Sequence, residues 1–161
     1  MLNIAVIGAG KLGEFHIKLL KTSTIFNLVG FHEKNKVRSD EISSKYEIKN
    51  KDLVTISNIV DCVVISTPTI HHYDIAKFFL EKNIHVFIEK PITSTVDEAS
   101  DLVQLAKKNN LVGQVGHVER FNSAFYNIKN KLNPKFIESH RLSSYPQRGT
   151  DVSVVLDLMI H

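Results

Sequence analysis

The stretch that most constrains this chain is its beginning, where an apolar run meets a glycine-spaced turn. Ile4-Ala5-Val6-Ile7 is too short for a helix and rich in β-branched residues, so it reads as a buried strand. It runs directly into Gly8-Ala9-Gly10-Lys11-Leu12-Gly13, a G-x-G-x-x-G spacing, and then into residues 14–21, which hold no Gly or Pro to break a helix. A second strand over residues 27–32 ends at Glu33. Strand, glycine turn, helix and strand in this order are the context in which the spacing carries weight.

Each glycine has a physical task in that context. Gly8 permits the tight turn out of the strand. Gly10 lets the backbone approach a pyrophosphate with no Cβ in the way. Gly13 lets the helix pack close to the strand, with its free N–H groups aimed at the phosphates. Lys11 and Leu12 occupy the variable positions of the same phosphate-binding turn. Glu33 lies where an acidic residue accepts hydrogen bonds from the adenosine ribose hydroxyls, and a carboxylate there repels a 2′-phosphate. NAD is therefore favoured over NADP, with Lys34, Lys36 and Arg38 close enough to soften the preference. A tight βα turn without a ligand is the plainer alternative.

Composition adds mainly exclusions. With 161 residues, 43% hydrophobic and 23% charged, the chain is of ordinary globular make-up and long enough for a substantial core. A net charge of +3 carried by scattered lysines implies no nucleic acid, and no apolar stretch reaches membrane-spanning length. Cys62 is the one cysteine, in the apolar run Cys62-Val63-Val64-Ile65, and reads as a buried thiol rather than a nucleophile. With no signal peptide ahead of the first strand, the expected compartment is the cytoplasm.

Further along, strand and helix patterns alternate. Residues 35–46 read as a polar helix, 51–59 as ambiguous with a short helix one reading, and 61–66 as a strand. Pro68 and Thr69 open a helix over 70–82, followed by a strand over 84–88. Residues 96–109 have the clearest helical period, with Ala99, Leu102, Val103 and Ala106 on one stripe and Thr95 with Glu98 as a capping box. Residues 111–115 form one more strand. This alternation predicts an α/β fold with a doubly wound parallel Rossmann sheet. Past Gly116 the pattern changes: a helix over 120–132, a break at Asn133-Pro134, a strand over 136–142 and an apolar helix over 152–161. The expected division is a dinucleotide-binding domain over 1–117 and the incomplete start of a substrate and dimerisation domain over 118–161.

Five stretches together resemble the Gfo/Idh/MocA family of NAD(P)-dependent oxidoreductases. They are the Gly8–Gly13 turn; Ser66-Thr67-Pro68-Thr69 with His72; Glu89-Lys90-Pro91; Gly116-His117-Val118-Glu119-Arg120-Phe121-Asn122; and Asp157-Leu158-Met159-Ile160-His161. The last two, with Arg148-Gly149-Thr150-Asp151 between them, resemble a branch acting on nucleotide sugars such as UDP-N-acetylglucosamine. The resemblance implies oxidation of a sugar hydroxyl, with hydride passing from the carbon that bears it to nicotinamide. It places Thr67, Pro68 and His72 on the adenine and pyrophosphate side of the cofactor, and Glu89 and Lys90 beside the nicotinamide ribose, where the Lys-Pro bond is often cis. Lys90 would stabilise the developing alkoxide. Asp157 and His161, four apart and so on one face of a helix, would form an oriented general base, and Arg120 would contact a cofactor or substrate phosphate. His71 and His72 lack ligand partners at metal spacing, so no metal is expected. His117 and His140 remain unassigned.

The resemblance also implies a full second domain, of which one strand is expected here. The chain is therefore expected to be a truncated member of the family, inefficient by itself because a base on an unsupported helix is poorly positioned. The expected partners are a second copy, as a homo-oligomer that buries the tail, or a separate polypeptide that supplies the missing C-terminal domain. The competing functions are a non-catalytic or decayed NAD-binding module, and a reductase of another substrate, such as biliverdin or a dihydrodiol, on a related scaffold.

Overall fold

The computed structural model describes residues 1–127, 133–138, 140, 153 and 155. Five parallel strands form one sheet in the order β2-β1-β3-β4-β5. They are β1 (Leu2–Ile7), β2 (Phe26–His32), β3 (Cys62–Ile65), β4 (His85–Ile88) and β5 (Gly113–Val115). Helices α1 (Lys11–Lys21), α2 (Lys36–Tyr46), α3 (Leu53–Ser57), α4 (His72–Glu81) and α5 (Val96–Lys108) make the crossovers.

The strands read as continuous apolar runs because both faces of the sheet are covered. Side chains alternate across a strand, so β1 sends Ile4 and Val6 to one side and Ala5 and Ile7 to the other. On the first side they meet Ile17 of α1, Ile42 of α2 and Phe31. On the second they meet Ile56 of α3, Ala76, Phe79 and Leu80 of α4, and Leu102 and Ala106 of α5. Cys62 and Val64 join the first core while Val63 and Ile65 join the second.

Helix starts follow local chemistry. Asn35 accepts from Arg38 N at 3.0 Å, Asp52 from Thr55 N at 2.8 Å, and Thr95 and Glu98 form the reciprocal capping box. The Asp52 cap settles the ambiguous stretch as a short helix. Three expectations need correction. Pro68 leads into a 3₁₀ turn, Thr69–His71, before α4 begins at His72, and β5 is shorter than its apolar run. The helix expected over 120–132 is interrupted at Asn122, between a 3₁₀ turn, Val118–Phe121, and the short α6 (Ser123–Tyr126). Asn122 has extended backbone and caps α6 by accepting from Ala124 N at 3.0 Å, which is why the two pieces do not join. Of the strand expected over 136–142, residues 136–138 and 140 are described and belong to no strand. The expected helix over 152–161 lies almost wholly outside the described residues.

The strand order decides where a ligand can sit. From β1 the chain crosses to β2 on one side and later returns to β3 on the other. The C-terminal ends of β1 and β3 are therefore the topological switch point, where an open α/β sheet leaves a crevice. The Gly8–Gly13 turn follows β1, and Ser66-Thr67-Pro68 follows β3.

Candidate functional site: a groove along the carboxyl edge of the sheet

The three glycines occupy three different environments. Gly8 has φ +88°, and a Cβ there would lie 2.9 Å from backbone atoms of Ser66 and Thr67. A Cβ on Gly13 would collide with the carbonyl oxygen of Gly8 and lie 2.8 Å from Ser66 Oγ. A Cβ on Gly10 would meet nothing within 4 Å. Gly8 and Gly13 thus let β1, β3 and α1 close on one another, and Ser66 Oγ ties the corner by donating to Gly8 O at 2.8 Å. Gly10 faces open space.

That space is a cavity of about 570 Å³ lined by Gly8, Gly10, Glu33, Thr67, Pro68 and their neighbours. Glu33 is held over it. One oxygen accepts from Ala9 N and the other from Asn35 N, both at 2.9 Å, while its backbone is clamped by the Asn50 side chain at 2.9 and 3.0 Å. Each carboxylate oxygen retains a second acceptor site for a ligand hydroxyl. Thr67 Oγ1 is buried and has no hydrogen-bond partner among the described residues, and such atoms in a native fold call for a partner. Leu12 lines the neighbouring cavity described below, whereas Lys11 is exposed at the first position of α1.

His72 is fully buried, with one ring nitrogen 2.9 Å from Pro91 O and the other 2.8 Å from Thr67 O. It bridges the segment after β3 to the segment after β4, so it reaches the groove through those two backbones rather than through its own ring. The Lys90-Pro91 bond at that bridge is cis.

A second cavity, also about 570 Å³, lies at the other end of the edge and is lined by Leu12, Phe15, His16, Glu89, Lys90, Gly116, His117 and Arg120, among others. Glu89 is buried there. Its Oε1 accepts from His16 Nε2 at 2.7 Å, and the His16 ring stands edge-on to Phe87 at 5.5 Å. A Cβ on Gly116 would lie 2.8 Å from the other Glu89 oxygen, so a glycine is what lets the carboxylate fit beneath the strand end. Arg120 is exposed on the rim. The structure thus brings Glu89, Lys90 and Arg120 to one cavity. Asp157 and His161 lie outside the described residues.

Sequence reasoning missed His16 and Glu14. His16 takes one place in the stripe Gly13, His16, Ile17, Leu20, which points at the sheet, and a lone polar residue in such a stripe is its signal. Arg38, expected close enough to Glu33 to soften the cofactor preference, stands beside the fingerprint turn with its groups engaged: its Nε donates to Ala9 O at 2.8 Å and its two amino groups bind Glu41 and Glu14. Lys36 is likewise paired, with Asp40 at 2.8 Å. Among the described residues no group of three or more His, Cys, Asp or Glu could hold a metal ion, and no helix is long and apolar enough to cross a membrane.

The model of an oxidoreductase family with an NAD-binding Rossmann fold, Gfo/Idh/MocA, matches residues 2–117. The chain belongs to this family. It is 33% identical to the UDP-N-acetylglucosamine 3-dehydrogenase of Acidithiobacillus ferrooxidans, over 97% of this chain and 50% of that protein. A solved structure of that protein superposes with a TM-score of 0.89 at 32% identity, over 99% of this chain and 53% of the other. Two further relatives are 30% identical. They are the 4-carboxy-2-hydroxymuconate-6-semialdehyde dehydrogenase of a Sphingobium strain, over 81% of this chain and 43% of its own length, and the NAD(+)-dependent scyllo-inositol 2-dehydrogenase of Bacillus subtilis, over 80% and 39%. The chain therefore spans about half the length, or less, of the curated relatives it matches.

Proposed function

We propose that this chain binds NAD, in preference to NADP, along the carboxyl edge of its sheet, and serves the oxidation of a nucleotide-sugar hydroxyl, with UDP-N-acetylglucosamine the first substrate to test. The observation that carries the cofactor reading is the groove at the switch point. Gly10 leaves room for a pyrophosphate, Thr67 Oγ1 lacks a partner among the described residues, and Glu33 is fixed where ribose hydroxyls can donate to it. The carboxylate disfavours a 2′-phosphate by direct repulsion. The substrate reading is supported by the likeness to the UDP-N-acetylglucosamine dehydrogenase, which runs through almost the whole chain, whereas the other two relatives match about four-fifths of it.

In this reading residues 1–117 are the dinucleotide unit and residues 118–161 open the substrate portion, and the partner is a second copy in a homo-oligomer or a polypeptide that supplies the remaining substrate domain. The bound nicotinamide supplies the hydride acceptor. Lys90, at the cavity beside Glu89, places an ammonium against the oxygen that becomes an alkoxide-like centre. His161 takes the hydroxyl proton, and Asp157, four residues earlier, holds its tautomer and orientation. Glu89, pinned by His16, borders the nicotinamide ribose, and Arg120 binds a phosphate of the cofactor or substrate.

Calorimetric titration with NADH and with NADPH tests the first half. Tighter binding of NADH supports it, and equal binding or none overturns it. Turnover of UDP-N-acetylglucosamine with NAD, abolished by Lys90→Ala, supports the second half. NADH binding without turnover leaves a cofactor-binding module instead.

A further inference from the structure

The guanidinium of Arg38 and the carboxylate of Glu33 hold opposite sides of one residue. Glu33 accepts the Ala9 N–H at 2.9 Å, and Arg38 Nε donates to the Ala9 carbonyl at 2.8 Å. Arg38 thus stands one peptide away from the acidic residue that marks the adenosine ribose. A guanidinium there is what dinucleotide sites use to receive a 2′-phosphate, through charge-assisted and often bidentate hydrogen bonds. In this chain its amino groups are already paired. One meets Glu41 at 2.7 Å and the other meets Glu14, in the first turn of α1.

Glu14 is the hub of that arrangement. Besides Arg38 it accepts from Lys45 Nζ at 2.8 Å and from Tyr46 OH at 2.9 Å. These contacts, Lys45 first and then Arg38 and Tyr46, hold its carboxyl well below the usual range, so it is ionised throughout neutral pH. One carboxylate therefore faces two cations of α2 and fixes that helix to the fingerprint helix.

We propose that Glu14 is a specificity-determining residue: by holding Arg38 on the fingerprint loop, with Glu41, it withholds the guanidinium from a 2′-phosphate, so exclusion of phosphorylated dinucleotides rests on Glu14 as well as on Glu33. The proposal rests on the groove being an NAD site. Removing Glu33 alone lifts the direct repulsion but leaves Arg38 neutralised. Removing Glu14 alone frees an amino group of Arg38 but leaves Glu33 in the way. Lys34 lines the groove in every variant, so it contributes equally throughout; only the two changes together give a 2′-phosphate both space and the Arg38 guanidinium, so their effects on NADPH binding multiply with a surplus.

The test is a set of dissociation constants for NADH and NADPH, by cofactor fluorescence, on the wild-type chain and on E33S, E14Q and E33S/E14Q. The double variant gains NADPH affinity by about tenfold beyond the product of the single effects, the worth of one charge-assisted contact to phosphate. Adding Arg38→Gln or Arg38→Lys removes that surplus, the lysine variant because it keeps the charge but loses the fork. Circular dichroism melts identify which variants are folded. Multiplicative effects with no surplus, or a surplus that survives in either folded Arg38 variant, overturn the proposal while leaving the NAD reading intact. Failure of the wild-type chain to bind NADH overturns both.

Discussion

Gly10 and Gly13 lie three residues apart in one motif, yet an added methyl group must affect them in opposite ways. At Gly13 a Cβ would overlap the Gly8 carbonyl oxygen and press within 2.8 Å of Ser66 Oγ, and the obstacles are mainly backbone. Helix α1 must then retreat from β1, opening the contact between Ile17 and the strand interior. Overpacking of this kind costs about 1–3 kcal/mol. For a chain of this length that lowers Tm by roughly 3–12 °C. At Gly10 the φ of −61° and ψ of −169° suit any residue, and the methyl points into the empty groove. The change lowers the conformational entropy of the unfolded chain, worth about 0.4–1 kcal/mol in favour of folding. It also loses the few tenths by which glycine outranks alanine as an N-cap, so stability stays within about 0.5 kcal/mol of wild type. In the proposed NAD site the methyl takes the space of the pyrophosphate, so NADH affinity is expected to fall by about tenfold or more. Thermal melts and NADH titrations of Gly10→Ala and Gly13→Ala check both halves. A Gly10→Ala chain that binds NADH as wild type does, or that melts as low as Gly13→Ala, refutes the assignment of the two glycines.

Other consequences are open to direct measurement. Burial, aided by the nearby Asp61 charge, pushes the Cys62 thiol up to about 11. Alkylation by iodoacetamide at pH 8 is therefore about a hundredfold or more slower in the folded chain than in denaturant, and comparable rates would show the thiol exposed. Lys45, Arg38 and Tyr46 lower Glu14 from 4.5 to about 2. A carboxyl depressed on folding stabilises the protein above its unfolded pKa and loses that contribution as pH falls through the folded one. Glu14→Gln therefore costs about 1 kcal/mol near neutral pH, the sum of partly exposed contacts, and the gap to wild type closes between about pH 4.5 and 2 in pH-dependent melts. His72→Leu leaves the buried Thr67 and Pro91 carbonyls without their ring partner, costing about 2–3 kcal/mol in urea unfolding. The same change weakens NADH binding, because Thr67 loses its anchor to the Pro91 segment.

The site was legible in proportion to how local its determinants are. The Thr95–Glu98 capping box is an interaction among near neighbours, and the sequence displays it directly. The glycine spacing and Glu33 just after β2 were legible as a motif, although their partners Ser66, Ala9 and Asn50 lie far along the chain. His72 was recognisable as part of a motif, but its role as a bridge between two backbones was not, since Pro91 lies 19 residues away. The His16–Glu89 contact spans 73 residues, and neither side chain announces the other.

The sequence by itself therefore determined the elements: apolar runs with both faces buried, polar and amphipathic helices between them, glycines where a turn or a close approach requires them. The runs and helices are set by hydrophobic periodicity and capping within a few residues, whereas Gly8 and Gly13 also answer to Ser66, far along the chain. Tertiary structure alone decided the strand order, and with it the switch point between β1 and β3 where the groove opens. It also decided that Glu14 and Arg38, 24 residues apart on different helices, meet beside Ala9. Long-range contacts of that kind depend on how crossovers lay helices on the sheet, a choice made by the summed burial of two cores and by no single stretch of chain.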